Sequence, residues 1–133
     1  MLPLNIIGIP GVPHTSARNS QVPRAIVIHS MGGTLAGCDS WFRNPGSEVS
    51  AHYGIGLNGE IHQYVAEDRS AWANGRLEPG NTWPYTDGVN PNLATLSIET
   101  EDTLASLPVS DAQYASTFAL CHAMRARWPS IEW

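Results

Sequence analysis

The chain has 133 residues, 42% of them hydrophobic, and a formal charge of -5 with only 7 lysines and arginines. That length supports one domain around one buried core, and so few cations, nowhere clustered, argue against a nucleic-acid partner. No apolar run reaches the roughly 18 residues of a membrane span, and the opening Met1-Leu2-Pro3-Leu4-Asn5-Ile6-Ile7 lacks the cationic start of a secretion signal, so neither membrane insertion nor a leader is expected.

Residues 1–24 hold Pro3, Pro10, Pro13 and Pro23 with Gly8 and Gly11, a composition that works against regular ladders and predicts an extended arm laid over a domain of residues 25–133. Ala25-Ile26-Val27-Ile28-His29-Ser30 is continuous and β-branched, and reads as a buried central strand ending in an imidazole. Met31-Gly32-Gly33-Thr34 breaks that pattern. A short helix through Trp41 and Phe42 follows, with Asp39 as its expected cap and Asn44-Pro45-Gly46 as its stop.

Residues 50–57 and 60–65 flank Asn58-Gly59, whose tolerance of positive φ predicts a two-residue hairpin turn. In that register Ile55 faces His62 and His52 faces Val65, placing His52 and His62 on opposite sides. Residues 66–93 carry Pro79-Gly80-Asn81, Trp83-Pro84, Asp87-Gly88 and Asn90-Pro91-Asn92 and read as a long loop. Its aromatics Trp72, Trp83 and Tyr85, together with Trp41, suit the wall of a groove. In 94–100 the polar Thr95, Ser97 and Glu99 alternate with Leu96 and Ile98, as in a strand with one apolar face. Ser110 to Gln113 has capping-box spacing, and Tyr114, Phe118, Cys121, Met124 and Trp128 recur at helical intervals up to Pro129, predicting an amphipathic helix on a sheet.

Two residues carry chemistry in this frame. His29 sits at the end of a rigid strand, where an imidazole suits a metal ligand; a single histidine there is more often structural. Glu99 lies on the polar side of its strand, where a carboxylate needs either a catalytic use or a salt-bridge partner. His14 lies in the arm. Cys121 and His122 are helix neighbours pointing about 100 degrees apart and make a poor metal pair. Cys38 and Cys121 form no CxxC and are too few for a disulfide framework.

The runs Val27-Ile28-His29, Val49 to Val65 with Ser50-Ala51-His52-Tyr53-Gly54, Asp68-Arg69-Ser70-Ala71-Trp72 and Leu96-Ser97-Ile98-Glu99-Thr100-Glu101 resemble the zinc-dependent N-acetylmuramoyl-L-alanine amidases. These are the phage-lysin and wall-recycling type, related to peptidoglycan recognition proteins. The resemblance runs in order from about residue 22 onward. It implies an α/β (α+β) fold, a mixed sheet flanked by helices, with His29 as a zinc ligand and Glu99 as the acid that activates water. Trp72, Asn74 and Tyr53 are the implied substrate contacts. The implied partner is peptidoglycan or a muropeptide, cut between N-acetylmuramic acid and L-alanine, at the cell wall or in cytoplasmic recycling.

Three departures accompany it. The second histidine and the Asp or Cys ligand that follow the last helix in the family have no match here, so the expected domain lacks its final strand and ligand loop. Ala51 stands where some members have a catalytic tyrosine, which favours the branch that relies on the glutamate. Ala71-Trp72-Ala73-Asn74-Gly75 replaces the common Ala-Trp-His-Ala-Gly, altering one polar wall. A non-catalytic muropeptide-binding module and an inactive remnant of the same fold are the competing expectations.

Overall fold

The computed structural model describes residues 3–83, 90–102 and 108–132. Its strands are β1 (Ile6–Gly8), β2 (Thr15–Ala17), β3 (Ala25–Ser30), β4 (Tyr53–Ile55), β5 (Ile61–Gln63), β6 (Arg69–Ala71) and β7 (Thr95–Thr100); its helices are α1 (Leu35–Arg43) and α2 (Asp111–Arg127). A five-stranded sheet runs β1-β5-β4-β7-β3, and β2 with β6 forms a separate ribbon. Only β4 and β5 are antiparallel within the large sheet, so the sheet is mixed, as expected.

Alternation along β7 divides the interior. Leu96 and Ile98 join Tyr53, Ile55, Ile61, Leu120, Met124 and Ile131 in an apolar core beneath α2. On the other face, Cys38 and Phe42 of α1 pack with Ala51, Tyr64, Val65 and Ala71. Gly54 permits this second packing, because a β-carbon there would stand 2.7 Å from the Tyr64 hydroxyl and 3.0 Å from a Leu35 methyl.

Several local expectations change. The proline-rich arm does form ladders: Ile6 to Gly8 pair in parallel with Ile61 to Gln63, and Thr15 to Ala17 pair with Arg69 to Ala71. Short strands fit between the prolines, and β6 together with a 3-10 turn at Pro91–Ala94 interrupts the expected long loop. Helix α1 is capped by Thr34, whose hydroxyl accepts from the Gly37 amide at 3.0 Å. Asp39 lies inside the helix and instead accepts from His62 Nδ1 at 2.9 Å and the Tyr64 hydroxyl at 2.7 Å.

The hairpin pairs Ile55 with Ile61 and Gly54 with His62, one residue away from the expected register. The turn is Leu57-Asn58-Gly59, closed by Gly56 and Glu60, with Gly59 at φ +80. A three-residue loop ending in a left-handed glycine matches strand twist as well as the two-residue turn does. The Tyr64 amide bonds the His52 carbonyl, so side-chain parity no longer separates His52 from His62; their hydrogen-bond partners do.

Helix α2 has the expected capping box, with the Ser110 hydroxyl accepting from the Gln113 amide and Gln113 Oε1 from the Ser110 amide. Its buried meridian is Gln113, Leu120 and Met124, flanked by Cys121 and Trp128. Tyr114 and Phe118 are 67% and 55% exposed and stack with centroids 6.3 Å apart. At 100 degrees per residue they sit roughly 100 to 140 degrees from that meridian, so spacing alone had merged two different stripes.

Candidate active site

Strands β3 and β7 run parallel in a register that sets His29 opposite Glu99. On the other side of β7, Glu99 lies opposite Gly54. Odd positions of β7 face α1, so the imidazole and the carboxyl share that face at the C-terminal ends of two parallel strands. Beside them opens a groove of about 360 Å³, lined by Ser30 to Thr34, Gly37, Cys38, Trp41, Phe42, Val49, Ser50, Trp72, Ala73 and Glu99.

Burial raises the Glu99 pKa above the ordinary carboxylate value, and the charge of His29 pulls it partly back. Neither of its oxygens accepts a hydrogen bond from a described residue. A half-buried carboxyl with raised proton affinity and no donors committed to it is suited to moving protons. Cys38, also in the groove wall, is pushed up to about 12 by burial, so its sulfur stays a thiol and is no nucleophile.

Asn74, expected at the groove wall, instead holds His29, its Oδ1 lying 2.7 Å from His29 Nε2. The amides of Ala73 and Asn74 bond the Asn92 side chain at 3.2 and 2.7 Å, fixing that segment. Trp72 lines the groove at 36% exposure, its indole N–H donating to the Ser16 hydroxyl at 2.7 Å. Trp41 lines it at 54% exposure. Trp83 is not among the lining residues, and Tyr85 lies outside the described residues. Tyr53 is also placed elsewhere: it is 2% exposed in the α2-side core, and its hydroxyl donates to Glu67 at 2.7 Å. The expected substrate contact at Tyr53 is therefore corrected to a core residue whose polar end has a partner.

Beneath the site lies a buried network that the sequence did not reveal. Arg18 donates to the carbonyls of Glu67, Leu93 and Thr95 at 2.7 to 3.0 Å and lies 3.0 Å from His52 Nε2. His52 Nδ1 meets the Ser97 hydroxyl at 3.1 Å. Burial above all lowers the His52 pKa to about 4, with Arg18 adding to the effect, so His52 is neutral at physiological pH. It supports β7 from below. The only sequence signal was an arginine in a proline-rich segment, which has no local meaning.

Among the described residues, no group of three His, Cys, Asp or Glu side chains is able to hold a metal ion. His29 offers a single imidazole, whereas catalytic zinc ordinarily takes about three ligands from protein.

Residues 18–132 match the family model described as N-acetylmuramoyl-L-alanine amidase. The chain is 49% identical over 49 residues to N-acetylmuramoyl-L-alanine amidase A of Achromobacter lyticus, covering 36% of this chain and 28% of that protein. It is 36% identical over 83 residues to 1,6-anhydro-N-acetylmuramyl-L-alanine amidase AmpD of Citrobacter freundii, covering 62% of this chain and 41% of that protein. The crystal structure of a selenomethionine AmpD derivative superposes with a TM-score of 0.77 at 27% identity, over 98% of this chain and 79% of that one. The amidase LysC of Clostridium intestinale shares the fold, with a TM-score of 0.68 at 19% identity over 96% and 78%. No described helix is long and apolar enough to cross a membrane.

Proposed function

Because the chain belongs to the N-acetylmuramoyl-L-alanine amidase family, we propose that it hydrolyses the amide between the lactyl group of N-acetylmuramic acid and L-alanine in peptidoglycan or a muropeptide. The supporting observation is the parallel pairing of His29 with Glu99 at the edge of an aromatic-walled groove. In this reading Glu99 takes a proton from the attacking water as the new C–O bond forms. It returns that proton to the alanine nitrogen as the C–N bond breaks. Trp72 and Trp41 hold the sugar-peptide against the groove.

The family is generally zinc-dependent, and zinc polarises an amide oxygen and acidifies water. His29 is the ligand we assign to it from this chain; the described residues hold no group of three side chains that would complete the site. Glu99→Gln is expected to keep muropeptide binding while stem-peptide release falls by about 100-fold or more. A near-normal rate would overturn the assignment. Near-stoichiometric zinc that is lost in His29→Ala supports the metal role, and zinc content unchanged by that substitution refutes it.

A muropeptide-binding module without cleavage is the second reading, favoured by the exposure of Trp41 and Trp72 in the groove. It predicts wall binding by zinc-free protein with no peptide release. Action at the bacterial wall or on recycled muropeptides follows from either reading.

A further inference from the structure

The amide of Asn74 bridges two partners. Its Oδ1 lies 2.7 Å from His29 Nε2 and its Nδ2 lies 2.9 Å from Thr95 Oγ1. Thr95 Oγ1 in turn lies 3.0 Å from the Pro91 carbonyl. A carbonyl only accepts, so the single hydroxyl proton of Thr95 goes to Pro91, and toward Asn74 the threonine oxygen accepts. The Asn74 atom facing it is then the donor NH2. The oxygen of the same amide therefore faces His29, and the hydrogen-bond network fixes the orientation of the amide. An amide oxygen also only accepts, so His29 Nε2 carries hydrogen.

We propose that Asn74 is a positioning residue that holds His29 in the Nε2–H tautomer, leaving Nδ1 as the one ring nitrogen with a free lone pair. The hydrogen-bond chain runs from His29 through Asn74 and Thr95 and ends on the Pro91 carbonyl, which accepts. Its anchor is firm. Thr95 is buried at 1% exposure, and the Asn74 backbone is tied to Asn92, whose own amide bonds Asn90 Oδ1 at 3.0 Å. The Thr100 hydroxyl donates to the His29 carbonyl at 3.0 Å, so the backbone of His29 is held while Asn74 holds its ring. Which nitrogen of a histidine is basic is set by the bond the other makes. This inference deepens the amidase reading, since a ligand presented through Nδ1 serves that site, but the tautomer itself does not depend on catalysis.

The test is two-bond proton–nitrogen correlation NMR of imidazole-labelled protein without metal, at a pH where the ring is neutral. Wild type is expected to show His29 as a single Nε2–H species. Asn74→Ala should move its nitrogen shifts toward a tautomer average, and Thr95→Val should do so partially, because the amide is then free to turn over. Asn74→Asp, which can only accept, should restore the Nε2–H pattern. A wild-type Nδ1–H pattern, or identical shifts in wild type, Asn74→Ala and Thr95→Val, would overturn the proposal. Thermal unfolding of each variant checks the fold, and if Asn74→Ala fails to fold, Thr95→Val and Asn74→Asp still decide the matter. Zinc titration adds a separate readout: affinity about 10- to 100-fold weaker in Asn74→Ala than in wild type is expected. Wild-type protein that binds no zinc yet shows the Nε2–H pattern would sink the metal reading and leave this inference standing.

Discussion

The two faces of β7 are built on opposite terms. Toward α2, Leu96 and Ile98 are fully buried among apolar side chains. Toward α1, Thr95 and Ser97 are equally buried but hydrogen-bonded, and Glu99 is half buried with no donor among the described residues. The first face gains stability from removing hydrocarbon from water. The second accepts the desolvation of polar groups, which pulls titration away from ordinary values. Adjacent residues of one strand thus enter an apolar core and a polar, hydrogen-bonded face in turn, because side chains alternate sides.

Substitutions at neighbouring positions sharpen that contrast. Glu99→Gln should reduce muropeptide turnover by about 100- to 10,000-fold and leave the fold intact or slightly steadier at neutral pH, as it removes a buried charge. Kinetics beside a melting curve would show both. Ile98→Ala, one residue away, should cost about 2 to 5 kcal/mol in urea unfolding, with any activity loss tracking the unfolded fraction. Equal effects of the two on both measurements would erase the distinction.

The polar face also predicts an acid limb. The folded His52 pKa of about 4 lies below the ordinary histidine value of 6.5, so below pH 6.5 the unfolded chain binds a proton that the folded one refuses. Stability should therefore fall as pH drops from 6.5 to about 4, by up to about 3 kcal/mol. His52→Gln should flatten that limb even if it lowers stability overall. A second limb comes from Glu67. Its burial raises the pKa, but bonds from Arg127, Tyr53 and Trp128 outweigh this, and the net value lies below 4.5. That contribution is present above 4.5 and is lost as pH falls through the lower folded value. The smallest effect belongs to the outer side of α2: Phe118→Ser should change stability by no more than about 0.5 kcal/mol, since Phe118 is exposed.

Strand β7 and the capping box of α2 were legible because alternation and local spacing encode them, whereas His29 and Glu99 were joined in one site only through the family resemblance. Other features escaped for reasons of distance. Arg18 and His52 acquire meaning only from carbonyls donated by Glu67, Leu93, Thr95 and Arg69. Strands β1 and β2 depend on partners about fifty residues away, which override the local effect of proline. Tyr53 was an expectation of the resemblance alone, and its burial against Glu67 depends on a contact that no local pattern encodes. Asn74 was singled out for its difference from the common pattern, but its target came only from the tertiary arrangement.

The parallel ladder between Ala25–Ser30 and Thr95–Thr100 joins segments with a whole helix and hairpin between them. Closing so long a stretch of chain carries an entropic cost that the contacts of the ladder must offset. His29 and Glu99 therefore stand side by side only while this ladder is closed, so a chain in which it has opened holds the histidine and the glutamate as strangers.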